Sequence, residues 1–201
     1  MEITKGGKTL TDDEARRAIV TFGYRSNIDL VTKWQVFTDL AYVYTRKFSE
    51  NGAIGHFSDR ELKDQEIQIA NFKDGMVQPF CLVMHLSNFE EISTLVCQYE
   101  SVEQERGHSL SRFKVGWQAR LKTPIGNTPY WETLINAEKI RNCILHGYRR
   151  VSLMKNEAEI IRIVQKEGLE IKMDRVTISV EYLNKVKSAI VGMLEGEPGM
   201  F

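Results

Sequence analysis

Apolar residues recur along this chain at steps of three and four, and that period commits most of it to helices. The clearest stripe is Leu82, Leu86, Phe89, Ile92, Val96 and Tyr99. A helix turns once in about 3.6 residues, so such a set lies along one face. The stripe predicts a helix over about 76–104, with Pro79 in its first turn, where a missing amide donor costs little, and Gly107 as its breaker. Leu134, Ala137, Ile140, Ile144, Gly147 and Val151 predict a second helix from about Tyr130 to Met154. Val180, Leu183, Val186, Ile190 and Met193 or Leu194 predict a last one over about 180–194, before a fraying tail. Nearer the start, Leu30 or Val31, Trp34, Phe37, Ala41, Tyr44 and Phe48 form one more stripe, capped by Ser26 or Asn27 and closed by Asn51-Gly52.

Helix starts are written locally. Thr11-Asp12-Asp13-Glu14 and Ser58-Asp59-Arg60-Glu61 both have the form of a capping box, in which side chains satisfy two free amide donors. They predict helices over about 12–22 and from Asp59 to about Phe72, with Gly75 interrupting the pattern. A shorter helix is expected over 109–121, then a loop over Thr123–Pro129, rich in proline and glycine. The β-branched segment Glu159–Gln165 and the segment Leu169–Met173 flank Lys166-Glu167-Gly168 and predict a β-hairpin. The expected class is mainly α: a helical bundle (76–201) with one small β-hairpin and an N-terminal helical extension (1–75).

Composition narrows the function. Hydrophobic residues make up 42% and charged residues 27%, which suits a folded core rather than wholesale disorder. No apolar run approaches the roughly 20 residues that span a bilayer, and the start lacks the apolar core of a secretion signal. The expectation is a cytoplasmic protein with no membrane contact. Cys81, Cys97 and Cys143 form no CxxC pair and no metal-ligand pattern, so reduced thiols and no metal or other cofactor are expected. Net charge is zero, which argues against a general polyanion coat. The charge is unevenly spread, however. Between Arg106 and Arg150 nine basic residues face only Glu132 and Glu138. Such a segment presents one phosphate-binding face, or a solvated face balanced by acidic neighbours in space.

Chemistry concentrates in Lys139-Ile140-Arg141-Asn142-Cys143-Ile144-Leu145-His146-Gly147-Tyr148-Arg149-Arg150. On an ideal helix Asn142 and His146 share a face, whereas Arg141 and His146 project about 140° apart. These residue types suit RNA cleavage by the RNA's own 2′-hydroxyl. A histidine moves protons near neutral pH, an arginine stabilises charge on a five-coordinate phosphorus, and an asparagine orients either group. The nucleophile belongs to the substrate, so no metal is required.

Arg141, Asn142 and His146, on a late helix of a helical bundle, make this stretch resemble the Arg-x4-His motif of the HEPN superfamily. The resemblance covers about 76–195 and no family is recognised in 1–75. It implies a homodimer with both copies of Arg141 and His146 in one cleft, acting as a metal-independent endoribonuclease of toxin or anti-phage defence type. Tyr148 extends the likeness to the Arg-x4-His-x-Tyr form of HepT-type toxins. There the tyrosine is adenylylated by a partner nucleotidyltransferase, so the resemblance implies an antitoxin or nucleotidyltransferase partner and Tyr148 as the acceptor. The chain departs from that group in its length and its N-terminal third.

Other residues have two readings each. Arg112, Lys114, Arg149 and Arg150 are candidate RNA-phosphate contacts or ordinary surface charge. Glu90 or Glu91 is a candidate partner for Arg141 or His146, or part of a solvated pair. His85 reads as a core or interface histidine, and His56 and His108 as loop residues. Trp117, Tyr130 and Trp131 suit either base stacking or core packing. Gly6-Gly7-Lys8-Thr9 lacks the spacing and the preceding strand of a phosphate loop. Two rivals to the ribonuclease stand: a non-catalytic module binding RNA or protein, and a structural bundle in which Arg141 and His146 are paired within one chain.

Overall fold

The computed structural model describes residues 58–195 apart from His108 and Asn127, together with isolated positions before residue 58. Among the latter, β1 (Thr4–Lys5) pairs antiparallel with β2 (Lys8–Thr9), a ladder the sequence pattern did not announce. Thr11 and Glu14 make the expected reciprocal cap: the Thr11 amide donates to the Glu14 carboxylate at 2.9 Å and the Glu14 amide to the Thr11 hydroxyl at 3.3 Å. The expected helix over 12–22, the stripe over 30–48 and its Asn51-Gly52 stop lie outside the described residues, save for scattered helical positions.

Helix α1 (Asp59–Phe72) starts at the second capping box, with the Ser58 amide donating to Glu61 at 2.8 Å. Those bonds hold the Glu61 carboxyl below its usual range. Gly75 does not break the chain. Instead a π-helical turn, Lys73–Val77, carries α1 straight into α2 (Gln78–Tyr99). The Gln78 amide donates five residues back, to Lys73 O. The same step leaves the Asp74 carbonyl facing Pro79, which has no N–H. Arg149 fills the gap, its Nη1 donating to Asp74 O at 3.1 Å. α1 buries no residue, and Ile67, Phe72, Met76 and Phe80 stay exposed along this continuous helix.

The α2 stripe is buried as its period requires, from Leu82 to Val96. α2 ends at Tyr99 rather than near 104, because Ser101 turns left-handed (φ 55°). A 3-10 turn (Leu110–Phe113) leads into α3 (Lys114–Leu121). Trp117 of α3 stacks on Phe89 of α2 at 5.5 Å between ring centres, and its Nε1 donates to the buried Ser93 hydroxyl at 2.9 Å. α3 can approach this closely because Gly116 faces Cys97, with no room for a Cβ.

Helix α4 (Pro129–Gly147) starts where Thr128 accepts from the Trp131 amide at 3.3 Å. It packs against α2, α5 and α6 and forms the centre of the bundle. It stops seven residues before Met154, because Tyr148 and Arg149 are both left-handed (φ 50° and 67°). Each such residue costs about 1–2 kcal/mol. The amides of both donate back to Cys143 O, which offsets part of that cost. Gly147 is used for packing instead of turning, since a Cβ there would meet Met154 Sδ at 3.0 Å.

The largest departure from expectation follows. Glu157–Lys166 is a helix, α5, and not the first strand of a hairpin. Ile160, Ile163 and Val164 are buried at helical spacing against the core, and Glu157 and Glu159 sit in the first turn where the helix dipole favours them. β-branched residues lose only about 0.5 kcal/mol each in a helix, less than the core burial of one of them returns. The hairpin lies later: β3 (Glu170–Lys172) pairs with β4 (Arg175–Thr177) around Met173-Asp174. α6 (Val180–Glu195) closes the bundle against α4. The class is mainly α with a small antiparallel hairpin. Among the described residues no helix is long and apolar enough to cross a membrane.

Candidate functional site

The last two turns of α4 carry the motif, and their sides face different surroundings. Asn142 and His146 line an open groove of about 400 Å³. Its opposite wall is the chain that folds back after α4, including Met154, Lys155 and Asn156. Lys139, one turn before Asn142, completes the groove and pairs with Glu159 of α5 at 2.5 Å. His146 is exposed. His146, Asn142 and Lys155 therefore line one solvent-open place.

Arg141 points elsewhere, as the angular offset requires. Its side chain is only 10% exposed and lies between two carboxylates. Nη1 donates to Glu90 Oε1 at 2.9 Å, and Nη2 stands 3.9 Å from Glu138 Oε1. Nη2 also reaches Asn142 Oδ1 at 3.5 Å, so Asn142 touches both the buried arginine and the groove. Arg141 Nε is buried with no hydrogen-bond partner. Glu138 is itself buried and accepts from the Leu110 amide and the Ser109 hydroxyl, both at 2.9 Å. One network thus joins α2, the start of the 3-10 turn and α4. As it stands, the arrangement offers proton transfer and phosphate contact in the groove, with the guanidinium held one side chain away.

The other candidates are placed as follows. Glu91 is exposed, whereas Glu90 holds Arg141. Tyr148 caps α4 and is 76% exposed. Arg149 hooks onto the π-helical turn, and burial together with Arg175 lowers its guanidinium's hold on its proton. Arg150 is exposed and bridges to Arg175. Arg112 lies over the Phe113 ring at 4.4 Å, and the Lys114 ammonium rests against Gly126; neither lines the groove. Trp117 and Trp131 are core residues, and Tyr130 packs on Gly192. His85 is fully buried, and burial pushes its imidazole down to about 4. His56 and His108 lie outside the described residues. The three cysteines are free and buried, and burial pushes the Cys81 and Cys143 thiols up to about 11.

Glu138, Met154 and Lys155 were not singled out from sequence. Glu138 had a local signal, lying one turn before Arg141 on the same side of the helix. Met154 and Lys155 reach the groove only because the chain reverses at Tyr148–Arg149. Among the described residues no group of three or more His, Cys, Asp or Glu stands together as a metal site would. Comparison of the chain with protein-family models, curated proteins and solved structures gave no match.

Proposed function

We propose that this chain is a metal-independent endoribonuclease of the HEPN kind, of toxin or anti-phage defence type, working as a homodimer. The observation that carries the reading is the open groove that exposed His146 lines together with Asn142 and Lys155. His146 takes the proton from an RNA 2′-hydroxyl as that oxygen attacks the adjacent phosphorus. The bond from phosphorus to the 5′-oxygen breaks, and that oxygen takes up a proton. The products are a 2′,3′-cyclic phosphate and a 5′-hydroxyl. Lys155 holds the substrate phosphate and Asn142 orients it. Arg141 serves the transition state once its side chain turns from Glu90 and Glu138 toward the groove. Exposed Tyr148 suits modification by a nucleotidyltransferase partner, which would silence the enzyme.

A second reading has its own support. Arg141 is satisfied inside one chain by Glu90 and Glu138, as the structural bundle expects, while His146 stays exposed; together these favour a module that does not cut RNA. The deciding experiment is RNA cleavage in EDTA by wild type and His146→Ala, with analysis of the product ends. Cyclic-phosphate ends lost in a folded His146→Ala support the ribonuclease. Unchanged cleavage in that variant rejects His146 as the proton carrier. RNA binding without cleavage by unmodified protein, as judged by its mass, assigns the binding module.

A further inference from the structure

The β3–β4 turn is built on Met173 and Asp174, both at positive φ (50° and 64°). That is the backbone of a two-residue hairpin turn normally given to Asn and Gly. Met173 at its tip is 98% exposed. The tip is fastened to the chain leaving α4. The Val151 amide donates to Asp174 O and the Val176 amide to Arg149 O, each at 2.9 Å. The Ser152 amide donates to the Asp174 carboxylate at 3.0 Å, and the Ser152 hydroxyl donates to the same carboxylate. The outcome is that Arg150 sits directly across an antiparallel bridge from Arg175.

Like charges placed opposite one another across a ladder destabilise it. The nearby acids are few. Asp174 accepts from Ser152 and lies in the field of Arg150, Glu170 pairs with Lys172 at 2.8 Å, and Asp74 lies toward Arg149 and Lys172. Arg150 and Arg175 are both exposed and form no ion pair among the described residues. The field of Arg175 also reaches Arg149. A backbone that locks two exposed arginines side by side, with only the Asp174 carboxylate acting on Arg150, leaves net positive charge for an anion. Two residues before Arg150, at the end of the helix that carries His146, Tyr148 is 76% exposed. Adjacent cations and one open aromatic face match a nucleic-acid strand whose bases are unpaired.

We propose that Tyr148, Arg150 and Arg175 form a contact for single-stranded RNA outside the His146 groove, with Tyr148 stacking on a base and the two arginines holding neighbouring phosphates. The proposal rests on RNA being the substrate. It places the strand along the outer face of the hairpin as it leaves the groove, and it gives the hairpin a role that no motif residue supplies.

The test uses the full chain in a His146→Ala background, so that RNA stays intact. Affinity for a short unstructured RNA is followed by fluorescence anisotropy across a salt series. Each phosphate contact on a single strand contributes a slope of about 0.7 in log affinity against log salt. Arg150→Gln and Arg175→Gln should each lower the slope by about 0.7 and weaken binding about fivefold at about 0.1 M salt; the double variant should weaken it about 25-fold. Arg175→Lys keeps the charge and should retain the slope. Tyr148→Ala should lose about tenfold while Tyr148→Phe does not. Equal affinity and slope in a folded double variant would overturn the proposal. So would equal losses on duplex RNA, or a dependence on Arg175 seen only with an acidic peptide. If wild type cleaves RNA while the double variant binds like its parent, this contact alone fails. If wild type neither binds nor cleaves, the ribonuclease reading fails with it.

Discussion

Replacing Glu138 by alanine should be among the costliest single changes to this fold, although the residue is one ordinary glutamate in a helix. Its carboxylate is buried and accepts two hydrogen bonds, from the Leu110 amide and the Ser109 hydroxyl. Hydrogen bonds to a charged group contribute about 1.5–3 kcal/mol each. Alanine would also leave the Leu110 amide buried without an acceptor and would take one of two carboxylates from Arg141. Loss of one partner in a buried charged network costs about 3–5 kcal/mol, and the two routes agree on about 4 kcal/mol. For a chain of this size each kcal/mol moves the melting temperature by about 2–4 °C, so a fall of roughly 12 °C is expected. Urea unfolding should give the same loss at an unchanged slope. Glu138→Gln keeps an acceptor for Leu110 and should lose only about half as much. A Glu138→Ala protein within about 1 kcal/mol of wild type would refute the reasoning. A glutamine variant as damaged as alanine would show that charge against Arg141, and not the cap on the 3-10 turn, is what matters.

His85 should make stability fall with acid. Its folded imidazole titrates near 4, against about 6.5 when unfolded. Between those values the unfolded chain binds more protons, so stability is present above pH 6.5 and is lost as pH drops toward 4. From pH 7 to about 4.5 the loss is roughly 2 kcal/mol, and His85→Leu should be shallower by that amount; parallel profiles would exclude His85 as the source. Gly116→Ala places a Cβ 2.4 Å from Cys97 Sγ and should destabilise by about 1–3 kcal/mol, despite the better helix former. Adding Cys97→Ala should recover much of this in urea unfolding, and no recovery would mean that the α2–α3 approach is limited elsewhere.

Helix starts and buried stripes were legible because both are local. Ser58 and Glu61 make their reciprocal bonds within one turn, and the stripe from Leu82 to Val96 needs only a period. The ends of α2 and α4 were not legible, although those near Phe72, Leu121 and Glu195 were. Ser101, Tyr148 and Arg149 turn left-handed without glycine, held by hydrogen bonds that exist only in the folded chain. The segment Ile160–Val164 misled because β-branched content outweighed its spacing, whereas burial against the core decided it. At the candidate site, the shared face of Asn142 and His146 and the separate direction of Arg141 followed from helix geometry alone. Glu90 was among the partners weighed for Arg141. The groove's second wall was out of reach, since Met154 and Lys155 depend on a reversal that no residue type announces.

The π-helical turn sets a phase between the two halves of one long helix. Such a turn amounts to a single extra residue threaded into an α-helix. Deleting one residue from within 75–77 would restore the common pitch and leave α1 nearly in phase with α2, because the wide turn spends five residues on about the angle that four α-helical residues cover. The exposed Ile67 and Phe72 would then keep their direction relative to Phe80. The carbonyl four residues before Pro79 would still be that of Asp74, so the anchor for Arg149 at the end of the motif helix would stay in place. A one-residue deletion in the regular part of α1 or α2 has no such relief and would turn one end of the long helix by about 100° against the other. The deletion within 75–77 should therefore be the milder of the two.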